Sequence, residues 1–210
     1  MDSKIIDIQD LPDVVRSKGA NGRTITAIAG PPGAGKSTVS DRLAELLNEA
    51  EPDSAAVFPM DGFHYDDMIL NARGWRPRKG APHTFDVRGF GHMLDRLRAN
   101  DEPEVAVPVF DRAIETSRNA ARIIPQSVRH IVVEGNYLLL QDDPWNTLAD
   151  RFDTTVFLDV PYDTLKARLA QRWKALAPDD FEVKMEGNDL PNVRLVQTHS
   201  VPADYRIVNA

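Results

Sequence analysis

Apolar positions recur along the chain at two spacings, one helical and one extended, and the two alternate. Ile5, Ile8, Leu11 and Val15 stand at near-helical intervals, interrupted by Pro12, and predict a short helix over residues 3–17. Gly19-Ala20-Asn21-Gly22 breaks it. The run Thr24–Ala29 is apolar and β-rich and predicts a strand buried on both faces. Val39, Leu43, Leu46 and Leu47 fall on one face of a helix over residues 36–49. A second apolar run, Ala55 to Met60, stops at Asp61, and a helix with Phe90, Met93, Leu94 and Leu97 as its stripe follows Asp86, a candidate N-cap. Val105 to Phe110 reads as a short strand that Pro108 confines to an edge or a bulge. His130–Glu134 and Thr155–Asp159 are further strands, and Leu165 and Leu169 support a helix over about residues 162–175. Between them, residues 66–85 are rich in Gly, Pro, Arg and Lys and predict a long irregular loop of the kind that carries function. Strands alternating with helices imply an α/β fold, a parallel sheet covered on both faces. No internal repeat or low-complexity segment is visible.

Composition narrows the picture only a little. A length of 210 residues fits one α/β domain with a sizeable core. The formal charge of −7 disfavours nucleic acid as a partner, while a small anion in a local basic pocket stays compatible. With no cysteine, thiolate metal sites, disulfides and a Cys nucleophile are excluded. There is no run of 18 apolar residues, and the N-terminus lacks the basic start and apolar core of a signal peptide, so the expectation is a cytoplasmic protein with no membrane partner.

The chemistry is concentrated in Gly30-Pro31-Pro32-Gly33-Ala34-Gly35-Lys36-Ser37, a full match to G-x-x-x-x-G-K-[ST] placed between a strand and an amphipathic helix. Glycines let backbone N–H groups turn around phosphate oxygens, and the following helix points its positive end at the same anion. Lys36 is expected to reach the β- and γ-phosphates and Ser37 to ligate Mg²⁺, so ATP and Mg²⁺ are the expected cofactors, held on residues 30–38 with Thr38 closing the loop. Neither the Asn-Lys-x-Asp tetrapeptide of GTPases nor the Leu-Ser-Gly-Gly motif of ABC-type ATPases occurs, and motor and AAA-type proteins are usually longer. Exclusion thus leaves a small-molecule kinase.

Four acidic or basic positions add positive support. Asp61 ends the second strand, where open α/β sheets build their sites, and an acid there can orient an acceptor hydroxyl and take its proton; the bland alternative is a turn-capping carboxylate beside Gly62. Glu134 ends a four-residue apolar run and occupies the position of an acid that holds Mg²⁺; otherwise it is a strand-terminal surface acid. Arg168 and Arg172 are four apart on one predicted helix face and either close over the transferring phosphoryl group or form a solvated basic face with Lys166 and Lys174. Arg73, Arg76, Arg78 and Lys79 cluster around Trp75, which fits an acceptor with a carboxylate or phosphate as well as it fits a solvated loop.

With these residues assembled, the chain resembles the phosphoribulokinase and uridine kinase family of P-loop kinases, and within it the pantothenate kinase-like and "fructose transport system kinase" members. The motifs that carry the resemblance are the phosphate loop, Met60–Tyr65, Arg78–Asp86, Pro108–Arg112 and Val133–Asn136, and it runs from about residue 20 to the end. It implies a single P-loop NTPase domain over residues 1–210. That domain would be a three-layer α/β/α arrangement with a predominantly parallel five-stranded sheet. Residues 1–22 would form an N-terminal helix and connector, 66–85 an acceptor loop and 162–190 a small helical lid. By the same resemblance Asp61 is the catalytic base, acting with Lys36 and the lid arginines Arg168 and Arg172. The resemblance puts Arg78, Lys79, Asp86, Asp111 and Arg112 on the acceptor side, with His64, Tyr65 and His83 as candidate lining. Neither histidine is assigned proton transfer, because a lone histidine is more often a hydrogen-bonded structural residue. Asn188-Asp189-Leu-Pro-Asn192 resembles the segment that borders adenine in these enzymes, which puts Asp189 with the nucleotide. Asp61-Gly-Phe-His64 stands where the uridine kinases read Asp-Ser-Phe-Tyr. The expected partner is a small-molecule hydroxyl acceptor: a sugar, a nucleoside or a pantothenate-like compound. A uridine-type nucleoside kinase and a non-catalytic ATP-dependent switch stand as alternatives, and relatives leave a homodimer open.

Overall fold

The computed structural model describes residues 3–19 and 22–208. In chain order the elements are β1 (Lys4–Ile5), α1 (Leu11–Lys18), β2 (Thr24–Ala29), α2 (Lys36–Ala50), β3 (Ala55–Pro59), α3 (Asp67–Ala72), α4 (Val87–Ala99), β4 (Glu104–Asp111) and β5 (Thr116–Pro125). They continue with β6 (His130–Gly135), β7 (Thr154–Asp159), α5 (Tyr162–Trp173), α6 (Pro178–Lys184), α7 (Leu190–His199) and β8 (Tyr205–Val208).

The main sheet runs in the order β1-β8-β7-β2-β6-β3, and every pair in it is parallel. β2 and β6 are interior neighbours in it and are buried at every residue, which is why they read as near-continuous apolar runs. Alternate residues feed two cores. Ile25, Ala27, Phe58, Ile131 and Val133 pack with Phe90, Leu94 and Leu97 of α4, while Ile28, Val132, Val156 and Leu158 pack with Leu11, Leu43, Leu47, Leu165 and Val193 on the other face. This is the expected three-layer α/β/α arrangement. No described helix is long and apolar enough to cross a membrane.

Four details differ from the sequence-based expectations, each for a local reason. The sheet has six strands among the described residues rather than five, because β8 and the two-residue β1 extend its edge. The N-terminal helix starts only at Leu11: Pro12 sits in its first turn, where its missing N–H costs nothing, and Lys4–Ile5 pairs with β8 instead. Part of the connector, residues 20 and 21, lies outside the described residues. Val105–Phe110 does form a strand, but in a separate antiparallel hairpin with β5, and the register shifts between Val107 and Val109, on either side of Pro108. Residues 66–85 are not structureless; they hold α3 and two 3₁₀ turns, Arg76–Arg78 and Pro82–Thr84.

Asp86 caps α4 as its position predicts: its Oδ1 accepts the Gly89 N–H at 2.9 Å. A Cβ on residue 89 would collide with the same carboxylate, so the cap and the glycine belong together. Asp86→Ala is expected to cost about 1 kcal/mol, a fall in Tm of roughly 2–4 °C in a thermal melt.

Candidate active site

The C-terminal ends of β2, β3 and β6 converge on one cavity of about 390 Å³. The phosphate loop leaves β2 at Gly30 and enters α2 at Lys36. Gly33 and Gly35 take φ of 84° and 89°, the left-handed region that favours glycine. Gly35 also starts α2 without any side-chain cap, so the helix's first N–H groups face the cavity without a side-chain partner. Backbone amides, a helix N-terminus and Lys36 together make a cradle that fits polyphosphate.

The Lys36 ammonium donates to the Pro31 carbonyl at 3.0 Å and to Asn136 Oδ1 at 2.6 Å. Burial pushes its pKa down to about 8. Glu134 and Asp61 work against that fall, and Arg172 and Arg112 add to it. Glu134 is the penultimate residue of β6, and the Ser37 hydroxyl donates to its carboxylate at 2.9 Å to Oε1 and 3.1 Å to Oε2. Burial raises the Glu134 carboxyl above its usual range, with Lys36 opposing. A hydroxyl and a carboxylate side by side form an all-oxygen donor set, which suits Mg²⁺ completed by phosphate oxygens and water.

Asp61 lies in the 3₁₀ turn Met60–Phe63 that follows β3. Its Oδ2 accepts from Arg112 Nη2 at 3.0 Å, and its backbone carbonyl accepts from His64 Nδ1 at 2.8 Å. His64 is wedged between Phe85 and Phe110, at 4.0 and 4.7 Å between ring centroids. Burial lowers its pKa, so the ring is neutral at pH 7 with Nδ1 as the donor. The β4–β5 hairpin reaches over this turn, with Ser117 Oγ donating to the Asp61 and His64 carbonyls at 3.3 Å each.

On the side away from the phosphate loop, Lys79 is only 7% exposed, and its ammonium donates to Asp67 Oδ1 at 2.6 Å and to the Glu115 carbonyl at the hairpin tip. A π-helical turn, Met185–Asp189, joins α6 to α7 and turns Asn188 and Asp189 toward the cavity. The resemblance implies a place beside adenine for Asp189. Asn188 and Asn192, which flank it, pack against the 78–80 segment: Asn188 Nδ2 donates to the Lys79 carbonyl at 3.1 Å and Arg78 donates to Asn192 Oδ1 at 3.3 Å. The Asp189 carboxylate accepts from Trp173 Nε1 at 2.7 Å and from Asn188 at 3.2 Å.

Of the residues singled out in the sequence, Pro32, Gly33, Gly35 to Thr38, Asp61, His64, Arg76, Lys79, Arg112, Glu134, Arg172, Asn188, Asp189 and Asn192 line this one cavity. Several others do not. Ala34 is buried beneath the loop. Arg168 points at the loop from outside, 3.4 Å from the Gly33 carbonyl, whereas Arg172, one turn on, lines the cavity. The Tyr65 ring carries the Arg73 guanidinium at 5.3 Å. Asp111 holds the hairpin turn through Ala113 N and Arg118, and Asp86 is taken up by its helix cap. Sequence reasoning assigned no individual role to Asn136, Phe110 and Trp173, all of which line the cavity. The position of Asn136 two residues after Glu134 was the available signal for the first.

A family model described as an AAA domain matches residues 27–184, so chain length did not separate this protein from that class. A crystal structure of a protein provisionally named a fructose transport system kinase, from Silicibacter sp. TM1040, superposes with a TM-score of 0.87 at 38% identity, covering 96% of this chain and 98% of that one. A Schizosaccharomyces pombe protein provisionally named a uridine kinase is 31% identical over 87% of this chain and 81% of its own length. The pantothenate kinase of Limosilactobacillus reuteri is 30% identical over 75% of this chain, which spans 52% of that enzyme. The chain belongs to the P-loop kinase family of phosphotransferases.

Proposed function

We propose that the protein binds ATP with Mg²⁺ in the phosphate loop and transfers the γ-phosphoryl group to the hydroxyl of a small molecule. The reading rests above all on one observation: Lys36, Glu134 and Asp61 line the same cavity and act on one another electrostatically. A nucleotide switch needs the first two, but has no use for a second carboxylate facing the space beyond the γ-phosphate.

In this reading the amides of residues 33–38 and Lys36 hold the phosphates, and Ser37 and Glu134 hold the metal. Mg²⁺ supplies charge neutralisation on the phosphate oxygens. Asp61 orients the acceptor hydroxyl and takes its proton, and Arg112 holds the Asp61 carboxylate in place until the acceptor enters. Arg172 stabilises charge on the transferring group from α5, while Arg168 ties that helix to the loop at Gly33. Lys79, His64 and Asp189 border the acceptor. An ADP-release assay over sugars, nucleosides, hydroxy acids and phosphosugars tests the reading: ADP formation that depends on one acceptor supports it, and ATP binding with no phosphorylated product across the panel would favour a switch.

The depressed Lys36 pKa gives a pH signature. Bound phosphates favour the charged ammonium, so nucleotide affinity is full below pH 8 and falls about tenfold per unit as pH rises above it. At pH 9 binding takes up close to one proton, about 0.9 by the Henderson relation for a group at about 8. Calorimetry in two buffers of different ionisation enthalpy measures this uptake, and its absence at pH 9 would contradict the role given to Lys36.

A further inference from the structure

The cavity's far end has a charge imbalance that phosphate binding does not use. Residues 66–79 hold four cations, Arg73, Arg76, Arg78 and Lys79, against two carboxylates, Asp66 and Asp67, a net +2 within a chain of formal charge −7. Their partners are unequal. Asp66 caps α3 at Met68 N, and Arg73 stacks on Tyr65 and Trp75, so both are spent outside the cavity. Asp67 alone serves two cations, accepting from Lys79 at 2.6 Å and from Arg76 Nε at 2.7 Å. Partial burial works to raise the Asp67 carboxyl, but hydrogen bonds from Lys79 and Arg76 hold it below its usual range, so it is ionised and carries one charge against two. Arg78 has no carboxylate within ion-pair distance among the described residues, and its buried Nε has no partner.

The remaining charged groups do not restore the balance. Arg112 is paired with Asp61, and Lys184 stands 4.0 Å from Asp189. Glu115 meets Lys79 through its backbone carbonyl, and no ion pair ties its exposed carboxylate to either cation. Asn188 and Asn192 bond to each other at 3.1 Å, and Asn188 fixes the Lys79 carbonyl, so the buried carboxamides hold the lysine's backbone in place. Burying an ammonium to 7% exposure is costly unless it is paired, and against that cost Lys79 has one neutral carbonyl, the Phe110 ring at 5.5 Å and a carboxylate that it shares with Arg76. Both Lys79 and Asp61 act on His64, so the surplus positive charge and the base border the same aromatic wall.

We infer that the acceptor carries an anionic group, a carboxylate or a phosphate, remote from its reacting hydroxyl, and that Lys79 and Arg76 hold it while the hydroxyl meets Asp61. This rests on the kinase reading for where the hydroxyl lies, but it concerns binding and can fail separately. The test is calorimetric titration of the full chain, loaded with Mg²⁺ and a non-hydrolysable ATP analogue, with matched pairs: D-glycerate and glycerol, pantothenate and pantothenol, ribose 5-phosphate and ribose. At least one anionic member is expected to bind, with its neutral counterpart at least about tenfold weaker, the effect of losing one charge-assisted contact. The first two pairs report a carboxylate and the third a phosphate. Arg76→Gln, at a residue 44% exposed and therefore safe for folding, should weaken the anionic ligand about tenfold. Equal binding of a neutral counterpart, no binding by any anionic member, or full affinity in Arg76→Gln would each overturn the inference. An anionic ligand that binds and yields no phosphorylated product with ATP would leave it standing and remove the kinase reading instead.

Discussion

Asp61→Asn is expected to keep nucleotide affinity within about twofold of wild type and to lower acceptor phosphorylation by about 10²–10⁴-fold, the range for loss of a general base. The substitution preserves shape, and the backbone contacts that fix the turn, His64 Nδ1 and Ser117 Oγ on the residue 61 carbonyl, do not involve the side chain. What changes is charge. Arg112 loses its carboxylate at 3.0 Å, and Lys36 loses one of the two carboxylates that oppose the fall in its pKa. The comparison therefore belongs at pH 7 or below, the side that favours the Lys36 ammonium. Near wild-type turnover in the variant would remove Asp61 from the chemistry.

Lys36→Met should abolish both turnover and nucleotide-dependent stabilisation. In the wild type, saturating nucleotide at about 100 times Kd adds about 2.7 kcal/mol, a rise in Tm of roughly 5–10 °C for a chain of this size. The variant should show almost no rise. Methionine matches the lysine stem in length and carries no charge to desolvate, so the fold has little reason to collapse. The same change leaves Asn136 Oδ1 without its donor and Glu134 without its nearest countercharge, so metal binding weakens as well. A melt of the variant with a full nucleotide-dependent rise would contradict the cradle described above.

How much of this was legible in the sequence depends on how locally each part is encoded. The phosphate loop was, because one eight-residue segment contains the glycines, the lysine and the hydroxyl, flanked by the strand and helix it needs. β2 and β6 were, because strands buried at every residue read as near-continuous apolar runs, and β7 was through its Val156-Phe157-Leu158 stretch. β5 was not: most of Thr116–Pro125 is exposed and carries Arg118, Asn119 and Arg122, so no alternation marks it. Pro108 did report its bulge, but nothing local says that β4 leaves the main sheet for a partner of its own. The acceptor side was the least legible. It is assembled from the turn after β3, the segment around Lys79, the hairpin tip and the π-helical turn before α7, four pieces that only the fold brings together. A motif match named Asp86, Asp111 and Tyr65 there, and each has local work elsewhere, as a cap, a turn and a ring under Arg73. Lys79 was named too, but its burial and its shared carboxylate are properties of the packed structure, and they are what mark it out.

The central claim is that one cavity joins a nucleotide site to an acceptor base. It is tested most directly by following the label from [γ-³²P]ATP in the presence of Mg²⁺ and a broad panel of hydroxy compounds. The account predicts that label appears as a phosphate ester of one acceptor class, in step with ADP, and vanishes in Asp61→Asn. Label recovered only as inorganic phosphate, or an ester formed equally well by Asp61→Asn, would contradict it.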